Sequence, residues 1–156
     1  MVVQHLDPTK KSLLVELLQR QSHSPALEIT DRCKIEANHI YVAPPASDVT
    51  VFHGVLHLMK PPNTGGPPLA VDFFLPSLAD DQGSNAFSLI FSGVGRDGTL
   101  GLRALKEQAG GCSVQFPANA QFDSMPRSAI TAELADIVAP APSCPKSRWR
   151  ISAIRY

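Results

Sequence analysis

The feature that most constrains the fold of this chain is an apolar run that leads directly into a glycine-rich turn. The run extends from Phe87 to Phe91, the turn from Gly93 to Gly98, and an amphipathic helix with regularly spaced leucines is predicted over 99–108. Apolar runs of this length are typical of strands buried on both faces, and such strands belong to parallel sheets connected by helices. The run therefore predicts an α/β domain built on a parallel sheet.

Predicted strands and helices alternate along most of the chain. Further strands are predicted at 1–6, 27–30, 40–43, 112–116 and 137–139, with a β-hairpin at 49–58. Further helices are predicted at 10–21, 71–79 and about 126–134. This order predicts an α/β fold with a three-layer, doubly wound, mostly parallel sheet, helices on both faces and a β-hairpin insertion.

The composition of the chain limits the classes of partner that it can bind and the cellular compartment in which we expect it. Lys plus Arg and Asp plus Glu both number 14, so the zero formal net charge argues against a nucleic-acid-binding face. A run of about 18 apolar residues is absent, which argues against membrane insertion, and no secretory signal is recognisable. The 3 cysteines are widely spaced and odd in number, which argues against a disulfide framework or a zinc site. We therefore expect a soluble, cytoplasmic domain.

The glycine-rich turn is the first candidate site, because open α/β sheets bind ligands where strands lead into helices. Its glycines would let the backbone approach a substrate, and the helix start would offer N–H groups to an anion. Asp97 in this turn fits either a helix cap or a catalytic carboxylate. Gly93, Gly95 and Gly98 also match a dinucleotide-binding pattern, although the acid expected at the end of the next strand is missing.

His5 is the second candidate, because it follows the predicted first strand and would lie on the same rim as Asp97. Such a histidine fits a packed structural residue, or a general base whose imidazole is oriented by the aspartate. His53 and His57 are predicted to lie on the hairpin, sharing a strand face at a separation of roughly 13 Å, too far apart for one metal ion. We expect neither a metal nor an organic cofactor.

Four blocks of the sequence, in this order, resemble the CheB family of protein-glutamate methylesterases. They are Val2–His5, Ile40–Pro45, Ser92–Gly98 and Met125–Ile130, and the resemblance covers residues 1 to about 139. The sequences around 6–21 and 99–108 are similar to those of the family members that are fused to a CheR-type methyltransferase. Such a methyltransferase is therefore a possible partner.

The resemblance implies a Ser-His-Asp hydrolase that demethylates glutamate methyl esters on the cytoplasmic helices of methyl-accepting chemoreceptors. The family histidine falls on His5, the aspartate on Asp97, and an oxyanion contact on the backbone N–H of Val94. Met125 and Arg127 border the family's cleft, which makes them candidate substrate contacts.

The chain departs from the family pattern in two places. The nucleophilic serine belongs to a G-x-S-x-G-G turn that these 156 residues do not contain, and Ser92 belongs to the aspartate block instead. We therefore expect a catalytic domain over 1–139 that is cut off at its N-terminus, followed by an atypical basic, proline-rich tail over 140–156. A catalytically dead remnant that only binds partners, or a nucleotide-binding α/β domain, is the alternative.

The resemblance also implies that the missing strand lies between the strands at Val2-Val3 and Phe87–Phe91. An unfilled position would leave backbone groups unpaired on both neighbours, and exposed edges invite pairing with another chain. We expect the strands to close around this gap, or the isolated chain to self-associate.

Overall fold

The computed structural model describes residues 1–4, 12–61 and 69–143. These residues form two compact units, one up to Ala70 and the other from Val71 onward. Among the described residues, no helix is long and apolar enough to cross a membrane.

The first unit combines a short parallel pair of strands with an antiparallel sheet. Its elements are α1 (Leu14–Gln21), β1 (Ala26–Glu28), β2 (Cys33–Lys34), β3 (Ile40–Val42), β4 (Asp48–Phe52) and β5 (Val55–Met59). β1 pairs with β3 in parallel, and Val2 forms an isolated parallel bridge with Val42. In the antiparallel sheet, β5 lies between β2 and β4.

The hairpin β4–β5 was predicted correctly, but the placement of its histidines was wrong. His53 and Gly54 form the two-residue turn, with φ of 49° and 71°, and positive φ at both positions is the geometry of a type I′ turn that matches the strand twist. His53 therefore lies in the turn and His57 on β5, so they share no strand face. No group of three potential metal ligands occurs among the described residues.

The second unit is a parallel α/β arrangement. Its elements are α2 (Ala70–Gln82), β6 (Phe87–Ile90), α3 (Thr99–Glu107), β7 (Gly111–Gln115), α4 (Ser124–Thr131) and β8 (Ile137–Ala139). The strands form one parallel sheet in the order β6-β7-β8. Its core is apolar, and the side chains with almost no exposure include Leu102, Leu105, Cys112 and Val114. Parallel strands alternating with helices confirm the expected α/β fold.

Several predicted boundaries differ from those observed. The helix predicted at 10–21 begins at Leu14 among the described residues, and α4 begins and ends earlier than predicted. α2 extends three residues beyond Ala79 and contains Pro76, which removes one helical hydrogen bond but does not end the helix. Phe91 lies outside β6 and is exposed, so the strand ends at Ile90. Phe87 and Leu89 are only partly buried, so the prediction of a strand fully buried on both faces is wrong in extent. The two-residue strand β2 was not predicted, because two residues carry no alternation.

The ends of the predicted sheet are partly described. Within the described ranges, β6 pairs with β7 alone and Val2 bridges to Val42 alone. Both therefore have a side without a described strand partner, and the expected self-association stays a prediction. A short 3₁₀ turn follows Pro140 at Ala141–Ser143. The rest of the tail, including Trp149, lies outside the described residues.

We expect the substitution Gly101→Ala to destabilise the second unit, although alanine usually stabilises a helix interior. A Cβ at residue 101 would lie 2.7 Å from Cβ of Leu75 and 3.2 Å from the carbonyl oxygen of Val71, both on α2. Separating α2 from α3 should cost more than the gain of about 1 kcal/mol in helix propensity, leaving a net loss of about 1–2 kcal/mol. Urea unfolding measures this change in the free energy of unfolding, and Glu107→Ala, at an exposed position of the same helix, is the control. A Gly101→Ala protein that is more stable than the unchanged protein would disprove the close contact.

Candidate active site

The glycine-rich turn joins β6 to α3 at the carboxyl edge of the parallel sheet. Gly95 and Gly98 adopt φ of 89° and 93°, a left-handed conformation that other residues adopt only at a cost. Gly98 also lies under α2, because a Cβ there would be 2.9 Å from Cγ1 of Val71. Gly95 is therefore favoured by its left-handed backbone conformation alone. Gly98 is favoured by the same conformation and by the lack of space for a side chain.

A second loop, which leads into α4, is hydrogen-bonded to this turn. The N–H of Gly93 donates to the carbonyl of Phe122 at 2.9 Å, and the N–H of Met125 donates to the carbonyl of Gly93 at 3.1 Å. Ser124 Oγ donates to the same carbonyl and accepts the N–H of Gly95 at 3.0 Å. A Cβ on Gly93 would come within 2.2 Å of Met125 Sδ. The absence of a side chain at Gly93 thus leaves space for the side chain of Met125, whereas the sequence predicted that the glycines leave space for a substrate.

A buried glutamine supports both loops from the end of β7. Gln115 Oε1 accepts the N–H of Ser92 at 2.8 Å, and its Nε2 donates to the carbonyl of Asn119 at 2.9 Å. Ser92 Oγ in turn accepts the N–H of Phe122. Ser92 therefore has a structural bond at this rim. Neither Gln115 nor Ser124 was predicted from the sequence. Gln115 could have been found, because it is a polar residue at the end of an apolar strand.

Asp97 caps a helix, but not the helix that follows it. Its Oδ2 accepts the N–H of Val71 at 3.1 Å and its Oδ1 the N–H of Asp72 at 2.8 Å, both at the start of α2. α3 has Gly98 at its N-cap position, without a side-chain cap bond. The helix-cap interpretation of Asp97 is therefore confirmed, with α2 as the capped helix.

Asp72, in the first turn of α2, in turn accepts a hydrogen bond from the start of α3. Its Oδ1 accepts the N–H of Gly101 at 2.8 Å, within the first turn of α3. Each of the two aspartates therefore satisfies backbone donors that its partner's helix leaves unpaired. We call this arrangement the crossed cap, formed by Asp72 and Asp97. Asp72 was missed from the sequence, although an acid in the first turn of a predicted helix is a known signal.

The crossed cap brings two carboxyl groups close together in a partly dry region. Burial raises the pKa of Asp72 above its ordinary value, the N–H of Gly101 opposes this rise, and the charge of Asp97 adds to it. Asp97 is only 6% exposed. A carboxylate can accept about four hydrogen bonds, so the two backbone donors alone do not use the full accepting capacity of Asp97.

The predicted oxyanion donor is exposed beside this aspartate. Val94 is 70% exposed, and its N–H has no hydrogen-bond partner within the described ranges. Its neighbours Gly93 and Gly95 have their N–H groups bonded. Of these three consecutive amides, only that of Val94 has no hydrogen-bond partner among the described residues.

Arg127, a predicted substrate contact, lies on the outer side of the same region. Its Nε donates to Asp123 Oδ2 at 2.6 Å, one helical turn earlier, and both side chains are largely exposed. Exposed pairs of this kind contribute little to stability. The structure thus brings Val94, Asp97, Met125 and Arg127 to one edge of the second unit, whereas His5 lies outside the described residues.

The buried cysteine on β7 is not a candidate nucleophile. Burial raises the pKa of Cys112 to about 12, and the negative charge of Asp136 adds to the effect. Asp136 accepts the N–H of Cys112 at 2.7 Å and pairs with Lys106. Burial opposes ionisation of Asp136, but the hydrogen bond from Lys106 and the bond from Cys112 outweigh it and hold its pKa below the ordinary value. Thiolates attack and thiols do not, so Cys112 is structural.

A parallel sheet with a glycine-rich turn and a buried acid at its carboxyl edge defines an α/β protein with its site at the strand ends. A sequence model of CheB methylesterase matches residues 1–147. The chain belongs to the CheB methylesterase family.

Individual relatives agree with this assignment. An uncharacterised 104.1 kDa protein in the hypE 3′ region of Rhodobacter capsulatus is 34% identical over 123 residues, 79% of this chain and 13% of the relative. Protein-glutamate methylesterase/protein-glutamine glutaminase 1 of Paramagnetospirillum magneticum is 30% identical over 158 residues, 99% of this chain and 42% of the relative. The chain thus spans less than half of the length of these relatives.

A solved structure is similar over most of the chain. The catalytic domain of Thermotoga maritima CheB methylesterase has a TM-score of 0.79 at 27% identity, covering 88% of this chain and 75% of that domain. The expected family resemblance is confirmed.

Proposed function

We propose that this chain provides the histidine and the aspartate of a protein-glutamate methylesterase site. The substrate would be glutamate methyl esters on the cytoplasmic helices of methyl-accepting chemoreceptors, and the protein would then act in the cytoplasm. A CheR-type methyltransferase is a possible partner. Membership of the CheB methylesterase family supports the activity, and the names of curated relatives support the substrate class.

The observation that carries the proposal is that a buried Asp97 and the unbonded N–H of Val94 lie in the same turn, at one edge of the sheet. In the proposed reaction, a serine hydroxyl attacks the ester carbonyl and His5 takes its proton, while Asp97 orients and stabilises the imidazolium. The N–H of Val94 donates to the oxyanion. His5 then protonates the departing methanol, and water releases the glutamate by the same route.

The nucleophile is a serine that these 156 residues do not supply in the required G-x-S-x-G-G turn. No metal ion or organic cofactor enters the reaction. Residues 1–139 would form the catalytic part and 140–156 a tail outside it. Met125 and Arg127 would contact the substrate protein at the border of the cleft.

A nucleotide-binding domain is the weaker alternative. Dinucleotide binding needs the N–H groups at the start of α3 for the pyrophosphate, but the carboxylate of Asp72 already accepts the N–H of Gly101 there. A negative charge at this position would also repel phosphate. The other alternative, a binding remnant without activity, differs from the proposal in catalysis alone.

Methanol release from a methyl-esterified receptor fragment tests the proposal. We expect the 156-residue chain alone to be nearly inactive, because losing one triad member removes about 10⁴-fold or more of the rate. The same chain joined before Met1 to the serine-bearing strand and turn of a relative should hydrolyse the ester. A version with that serine replaced by alanine is the control, and circular dichroism checks folding. A folded, joined protein without activity would favour the binding remnant.

A further inference from the structure

An open groove of about 590 Å³ lies between α3 and α4, next to the glycine-rich turn. Apart from Arg127, a proposed substrate contact, the residues that line it have no part in the proposed reaction. The residues that bear on its chemistry are guanidinium and hydroxyl groups from both helices and from the turn: Arg96, Thr99, Arg103, Arg127, Ser128 and Thr131. We refer to this feature as the arginine groove.

The arginine groove has positive charge that is only partly neutralised. Arg96 and Arg103 are exposed and form no ion pair with any residue in the described ranges. Arg127 is paired with Asp123, which also lines the groove. Three guanidinium groups therefore face one carboxylate, in a chain whose formal net charge is zero. Local positive charge of this kind favours a ligand with carboxylates or phosphates.

The spacing of the lining residues favours a helical ligand. Thr99 and Arg103 are four residues apart on α3, as are Arg127 and Thr131 on α4. On each wall, a guanidinium and a hydroxyl group thus lie about one helical turn, or roughly 6 Å, apart. Glutamates on one face of a helix repeat at the same spacing. A polyphosphate backbone is less suitable, because the chain as a whole carries no excess of positive charge.

We propose that the arginine groove binds an acidic helix of the substrate protein, with glutamates of that helix on Arg96 and Arg103. This inference rests on the proposed function, in which the modified glutamates belong to receptor helices. Arg96 is two residues from Val94 in the same turn, so one end of the groove is close in sequence to the proposed oxyanion donor. Unmethylated glutamates would then fix the register, and a methyl ester farther along the same helix would reach the reaction site.

Fluorescence anisotropy on the 156-residue chain tests the groove directly. The probe is a labelled helical peptide of roughly 20 residues with glutamates at i, i+3 and i+7 on one face, and its comparison has glutamine at those positions. We expect the acidic peptide to bind more tightly, and added salt to weaken its binding. The double variant Arg96→Gln/Arg103→Gln should bind the acidic peptide about tenfold more weakly, because two charge-assisted contacts are lost.

Two further variants make the test specific. Arg20→Gln removes an exposed arginine from α1, outside the groove, and should leave the affinity unchanged. Asp123→Asn releases Arg127 from its ion pair and should tighten binding severalfold. Equal affinity for both peptides, or an equal loss in Arg20→Gln and in the double variant, would overturn the proposal, as would stronger binding of an RNA or DNA duplex than of the acidic peptide.

The probe carries no ester, so its binding does not depend on the reaction. A protein that binds the acidic peptide, but hydrolyses no ester once the serine segment is joined, contradicts the proposed function. Hydrolysis without peptide binding contradicts the groove.

Discussion

Replacing Asp97 by alanine should lower the free energy of unfolding by about 2–4 kcal/mol. The carboxylate accepts two N–H groups at the start of α2, and hydrogen bonds to a charged group contribute about 1.5–3 kcal/mol each, with incomplete additivity. The loss also leaves the first turn of α2 without a side-chain acceptor. Urea denaturation monitored by circular dichroism measures this change. Asp80→Ala, an exposed acid on the same helix, should change stability by less than about 0.5 kcal/mol.

Asparagine at position 97 separates the structural role from the catalytic one. Its amide oxygen still accepts one N–H, so we expect stability to fall by roughly half as much as with alanine. Its rate of ester hydrolysis, in the protein joined to a serine segment, should nevertheless fall by about 10²- to 10⁴-fold. If the rate follows the folded fraction alone, Asp97 is only a cap. If the alanine variant is as stable as the unchanged protein, the crossed cap does not hold α2.

The sequence could predict the strands and the turn because their signals are local. The signals for β6, for the glycines at 95 and 98 and for the hairpin β4–β5 each depend on the residues within a few positions. The hairpin histidines were placed wrongly because assigning His53 to the turn required the exact pairing register.

The partners of Asp97 could not be predicted in the same way. Its oxygens bond to N–H groups 25 and 26 residues earlier in the chain. The residues around position 97 do not indicate that the start of α2 lies against Asp97, because that contact depends on how α2 packs on α3. The close approach of Met125 to Gly93 has the same origin, since neither residue specifies the other. Long-range pairs of this kind emerge only from the folded chain.

The largest effect should follow from replacing His5 by alanine. No other group in the proposed reaction takes the proton of the serine, and losing the general base of such a triad costs about 10⁴-fold or more. Because the imidazole acts at the chemical step, the loss should fall on kcat far more than on KM. His23 is exposed and lies outside the resembling blocks, so His23→Ala provides a matched control.

The rate of methanol release from a methyl-esterified receptor fragment, compared between these two variants, tests the central claim most directly. Both substitutions are made in the chain joined to a serine-bearing segment, and the folding of each is checked by circular dichroism. The account predicts a loss of about 10⁴-fold or more in His5→Ala and an unchanged rate in His23→Ala. A folded His5→Ala protein that keeps most of its activity would contradict the assignment of His5, and with it the proposed site.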